Sequence, residues 1–152
     1  MNVLLNELHA YHHEVAIKIT QIKKLLDRMK HESAGADDSK LLFKMLEALH
    51  GDAERHHHKN EELIRRALLA TDAPIHPRVK DIERDHLAFE RIAGQLKMLE
   101  DSTQEARVIA DTIDDFIRKY YDHMEAEESI FFPMADKWLS GSQWQEIKRQ
   151  WH

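Results

Sequence analysis

Two pairs of residues carry the first hint of chemistry: His57 with Glu61, and His123 with Glu127, each a histidine followed four residues later by a glutamate. On a helix that spacing puts both side chains on one face, with Cβ atoms about 5 to 6 Å apart. Imidazole and carboxylate donors without thiolate suit iron, manganese or zinc. The chain has no thiolate to offer: among 152 residues there are 12 His and 0 Cys, which excludes disulfides, thiol chemistry and cysteine-ligated metal sites. Two more histidines, His12 and His86, stand where a leucine would be expected in an apolar helical pattern. The question is which elements bring these residues together.

The positioning elements are long helices. With 4 Gly and 3 Pro, 42% apolar and 33% charged residues, the composition favours helices over a turn-rich β fold. From Asn2 to about His31, Leu8, His12, Val15, Ile19, Ile22, Leu26 and Met29 recur at spacings of three and four, one buried stripe on one helix. His9 lies one turn before His12 near the same face, and the regularity of the stripe favours His12. The run Glu32 to Ser39 breaks the period, and Leu42, Leu46, Leu49, Ala53, His57, Ile64 and Leu68 resume it on a second helix with Gly51 as a weak point. Past Pro74, a third helix opens near Pro77 with Val79, Ile82, His86, Phe89, Ala93, Leu96 and Leu99 inward. Ser102 and Glu105 read as a capping box for a fourth, marked by Ile109, Ile113, Phe116, Tyr120, His123, Ile130 and Met134 and ending or kinking at Pro133. Ser142 and Gln145 read as the cap of a short C-terminal helix whose Trp144 and Trp151 cover one end. The pattern predicts an all-α, up-down-up-down four-helix bundle with a short C-terminal helix, one domain over residues 1–152.

Glu61 and Glu127 then point into the core. A buried ionised carboxylate is very costly unless paired with a cation, so two of them among four imidazoles call for a dinuclear metal centre. Across the first connection the levels agree, His12 lying about as far before it as His57 lies after it, and across the other two they agree to within a turn or so. By the same stripes His58 points away, so its removal is expected to matter little. His31, His50, His56, His76 and His152 read as solvated or helix-end residues, and Tyr120 as core packing.

These residues resemble a family, the HHE cation-binding, hemerythrin-like domains, four-helix bundles that hold two non-heme irons. The resemblance is carried by Leu8-His9-Ala10-Tyr11-His12, His57-His58-Lys59-Asn60-Glu61-Glu62, Arg84-Asp85-His86, and His123-Met124-Glu125-Ala126-Glu127-Glu128 running into Phe131-Phe132-Pro133. It implies His12, His57, His86 and His123 as terminal ligands, Glu61 and Glu127 as bridging carboxylates, and two iron ions (Fe2+/Fe3+) joined by an oxo or hydroxo bridge. It also implies binding of O2 or NO, for sensing, storage, scavenging or stress response, more as a binding protein than as a dedicated enzyme. Oxygen-carrying members place a fifth His where Glu90 stands here, so Glu90 is a further candidate ligand, ranked with His9 below the six.

Two other classes compete. A ferritin-like di-metal oxidase would use Glu54-x-x-His57 and Glu83-x-x-His86, although Tyr120 occupies the matching slot before His123. A metal-free or zinc-bound interaction bundle would use the Met and Trp residues against a partner. The net charge of -6, from 28 acidic and 22 basic residues, gives no electrostatic footprint for nucleic acid. No apolar run reaches membrane-spanning length and no leader pattern is visible, so a cytoplasmic monomer or homodimer is expected.

Overall fold

The computed structural model describes residues 1–31 and 35–152, and every regular element among them is helical. In chain order these are α1 (Val3–His31), α2 (Ala36–Leu49), α3 (Asp52–Leu69), α4 (Pro77–Glu100) and α5 (Ala106–Ala126), then a π-helical turn (Glu127–Phe131), α6 (Phe132–Trp138) and α7 (Gly141–Arg149). The residues expected to break the pattern at Glu32, Ser33 and Ala34 lie outside the described residues. All seven stripe residues of α1, His12 included, are buried.

Three local expectations are corrected. The second helix is two helices, because the chain turns out of helical geometry at His50 and Gly51, and Gly51 then serves as the extended N-cap of α3. The helical count restarts there, so Ala53 faces solvent and Glu54, His57, His58 and Glu61 face inward. Glu105 is the N-cap residue of α5 and makes no capping hydrogen bond, while Ser102 Oγ bonds back to the Leu99 carbonyl (2.7 Å), so no capping box forms there. A capping box does form two residues before the expected one in the C-terminal helix: Gln143 N–H donates to Ser140 Oγ (3.3 Å) and Ser140 N–H to Gln143 Oε1 (2.8 Å).

The fourth stripe shifts phase as well. A π turn holds more residues than an α turn, so after Glu127 the inward positions advance by one. Phe131 and Ala135 are buried where Ile130 and Met134 were expected, and those two are only half-buried. Pro133 falls in the first turn of α6, where a missing N–H is harmless, so the chain passes the proline without ending.

Asn2 N–H donates to Asp136 Oδ1 (3.0 Å) at one end of α1, and Lys30 Nζ lies 3.1 Å from Asp114 at the other. The run from α5 to α6 therefore lies along α1 in the opposite direction. At the chain end Trp144 is buried, Trp151 Nε1 donates to Glu7 Oε2 (2.9 Å) and His152 N–H to Asn60 Oδ1 (2.9 Å), which closes α7 over α1 and α3.

The core is two apolar clusters. One holds Val15, Ile19, Leu46, Leu49, Phe89, Phe116 and Tyr120 among others; the second holds Leu5, Leu8, Ile64, Ile82, Phe131 and Trp144. Four elements cross from one cluster to the other, and each carries a histidine at the crossing: His12 between Leu8 and Val15, His57 between Leu49 and Ile64, His86 between Ile82 and Phe89, His123 between Tyr120 and Phe131. A polar layer separates two oily ones. No described helix is long and apolar enough to cross a membrane.

Candidate metal centre

Six buried side chains fill that layer: His12, His57, Glu61, His86, His123 and Glu127, with both glutamates wholly shielded from solvent. Glu61 comes within 3.0 Å of His57 Nε2, 3.6 Å of His12 Nε2 and 3.5 Å of His86 Nε2. Glu127 comes within 2.8 Å of His123 Nε2, 3.5 Å of His12 Nε2 and 3.7 Å of His86 Nε2. Each carboxylate thus lies between imidazoles from different helices. Glu61 belongs to two groups of convergent donors, one with His12 and His57 and one with His58, His86 and His123.

The outer ring nitrogens are held by a second set of carboxylates. His12 Nδ1 donates to Glu128 Oε1 (2.7 Å), His86 Nδ1 to Glu62 Oε1 (3.2 Å) and His123 Nδ1 to Asp85 Oδ2 (3.0 Å). An ionised carboxylate only accepts, so each Nδ1 carries a proton and each Nε2 is the nitrogen turned to the centre, free to donate a lone pair once its own proton is displaced. Burial works against charge on Glu62, Glu128 and Asp85, but the hydrogen bonds from these imidazoles, with Arg65, His9 and Arg78 respectively, hold all three carboxyls below their usual range. The fourth ring, His57, is stacked face to face by Tyr11 with centroids 4.2 Å apart. The bracing closes on itself: α3 holds the imidazole of α4, α4 that of α5, the π turn that of α1, and α1 that of α3.

The inner set is short of positive charge. Although Glu61 and Glu127 approach imidazole nitrogens to 3.0 and 2.8 Å, none of their four oxygens, nor His86 Nε2 or His123 Nε2, makes a hydrogen bond of good angle, and all six atoms are buried. Buried polar atoms are nearly always paired, so six unpartnered ones in one place suit a cation held among them. Burial opposes protonation of His12 and His123, but Glu128 and Glu61 at the first, and Glu127 and Asp85 at the second, raise them to about 10 and about 9. Despite burial, Glu127, Glu61 and Glu62 raise His86, and Glu61 is driven well below the ordinary carboxyl range chiefly by His57 and its other polar neighbours. Protons here do the work that a metal ion would do. Nitrogen and oxygen donors around two shared carboxylates fit metal cations.

The two lower-ranked candidates stand apart from the six. His9 is 60% exposed and its Nδ1 donates to Glu128 Oε2 (2.8 Å), so it steadies the brace of His12. Glu90 is exposed on the rim of a cleft of about 200 Å³ that opens over Glu54 and His58. The glutamates of the ferritin-like pattern are also elsewhere. Glu83 is half exposed and paired with Arg65 (2.8 Å), and Glu54 accepts from the Tyr11 (2.6 Å) and Tyr120 hydroxyls. Tyr120 is core packing as expected, with its hydroxyl on Glu54.

His58 is the correction of most consequence. It does not point away: it is buried, with Nε2 2.8 Å from Glu54 Oε1 and its ring stacked on His86 at 4.1 Å. Counting the helix from Gly51 instead of from Leu42 would have found it, since Glu54, His57, His58 and Glu61 then fall on one stripe. Glu62, Asp85 and Glu128 show no role in the sequence alone; each sits beside an inward residue, about 100° round the helix, where it faces the neighbouring helix.

An all-helical protein with a buried layer of imidazoles and carboxylates is, by class, a cation-binding helical protein. The sequence profile of the Hemerythrin HHE cation binding domain matches residues 3–135, a stretch holding all six inward residues and their braces. The chain belongs to that family, whose domain binds metal cations, and its buried His and Glu groups fit a metal site. It matches no curated protein and no solved structure.

Proposed function

We propose that the chain is a hemerythrin-like non-heme di-iron protein that binds O2 or NO, with His12, His57, His86 and His123 as terminal ligands and Glu61 and Glu127 shared between the ions. The supporting observation is the set of six orphaned buried atoms at the meeting point of four helices. In this reading α1, α2 with α3, α4, and α5 with α6 form an up-down-up-down bundle, one domain over residues 1–152, in the cytoplasm. Two iron ions supply the electrons and the coordination position that a diatomic ligand needs. The chain's own residues fix the imidazole tautomers through Glu62, Asp85 and Glu128, and keep water out with two apolar clusters.

Iron is favoured over zinc by family membership, and the oxidase reading is disfavoured because Glu54 and Glu83 are committed elsewhere. Anaerobic iron(II) titration of the full chain should saturate at two ions, and optical spectra should change on adding O2 and, separately, NO. His57→Ala and His123→Ala should each lose iron, while Glu90→Gln should keep both ions. Less than one iron bound per wild-type chain rejects the proposal.

A further inference from the structure

Glu54 and His58 are left over once the six residues are placed. Glu54 is a buried carboxylate that takes three partners: the hydroxyls of Tyr11 and Tyr120, and His58 Nε2. Three polar partners on one buried glutamate is a high degree of organisation for a group with no part in the fold's apolar packing. It reproduces what Glu62, Asp85 and Glu128 do for the other rings, a carboxylate on the outer nitrogen of an inward imidazole.

One nitrogen of His58 falls within reach of the centre. Its ring lies parallel to that of His86, with 4.1 Å between centroids and 19° between planes, and edge-on to His123 at 6.1 Å. His58, Glu61, His86 and His123 each bring one donor atom into a group whose members all lie within 4.8 Å of one another. Within that group His86 Nε2, His123 Nε2 and both Glu61 oxygens are buried and unpartnered. An imidazole has two nitrogens, and a carboxylate that accepts from two phenols accepts from the third partner too. Nε2 therefore carries the His58 proton, and Nδ1 is the nitrogen with a lone pair to give.

We propose that His58 is a fifth imidazole of the metal centre, ligating through Nδ1 on the side of His86 and His123, with Glu54, Tyr11 and Tyr120 as the residues that position it. The centre is then lopsided: three imidazoles on one side and two, His12 and His57, on the other. Such outer partners set ring orientation and donor strength, and their loss typically weakens metal binding about 10- to 100-fold. Glu54 and the two tyrosines gain a purpose that packing alone does not give them.

The inference rests on the two-metal reading and can be tested apart from it. The full chain, labelled with 15N-histidine, is loaded with cobalt(II), and its hyperfine-shifted, exchangeable imidazole N–H signals are counted. Wild type should give five, one assigned to His58; His58→Phe, which keeps the stack on His86, should give four. Glu54→Gln should retain five while binding cobalt roughly 10- to 100-fold more weakly. Two bound cobalt ions with four N–H signals carrying the large through-bond contact shift, and that of His58 showing only a through-space shift, overturn this inference and leave the two-metal site standing. Failure of wild type to bind two ions overturns both. The wild-type spectrum alone decides, so a variant that fails to fold does not rescue the idea.

Discussion

At the scale of single residues, the inner six were readable because a helical stripe is a simple periodic code and a polar residue within it stands out. Their braces were not, because Glu62, Asp85 and Glu128 look like solvated surface charges until a neighbouring helix is set against them. Glu62→Gln, Asp85→Asn and Glu128→Gln should each lower iron(II) affinity about 10- to 100-fold without loss of helix content, as measured by competition with a chromophoric chelator and by circular dichroism. Unchanged affinity in all three variants would show the braces to be idle.

The same residues make a pH prediction. His12 and His123 are raised from 6.5 to about 10 and about 9, since the carboxylates beside them outweigh burial. A group with a raised folded pKa contributes its stabilisation fully below 6.5 and loses it as the pH passes its folded value. The metal-free protein should therefore unfold at progressively lower urea concentration between pH 6.5 and pH 10. Metal uptake must displace these protons, so over the same interval iron affinity should rise. A metal-free urea midpoint that climbs across that range contradicts the charge assignment.

Among the elements, the long stripes of α1 and α4 were legible because nothing interrupts their period. Gly51 stands out as a weak point, but the phase shift it causes was not legible, and neither was the π turn at Glu127, since each displaces every later position on its stripe. A proline in a helix interior costs about 3 kcal/mol or more. Because the π turn delivers Pro133 to the first turn of α6, Pro133→Ala should change stability by less than about 1 kcal/mol, read from urea unfolding of the chelator-treated chain. A gain approaching 3 kcal/mol would mean that the helix is strained there after all. Ser140→Ala removes a complete capping box and should cost about 0.5–2 kcal/mol by the same measurement.

For the whole molecule, the division of the core by a polar layer makes two oily halves depend on what fills the gap. Leu5→Ala in one cluster and Leu46→Ala in the other should each cost about 2–5 kcal/mol, because both side chains are fully enclosed. Free metal at 100 times its dissociation constant should add about 2.7 kcal/mol to the folded state for a single site. A melting temperature indifferent to iron(II) would deny any link between the layer and the fold.

The ring of supports round the layer works like a reciprocal frame in carpentry, in which every beam rests on the next and none reaches the ground. Glu62 leans on His86, Asp85 on His123, Glu128 on His12, and Tyr11 on His57, returning to the helix where the circuit began. Such a frame has no half-built state that carries weight. A peptide spanning only two of these helices would own part of the donor set and lack the members that aim it.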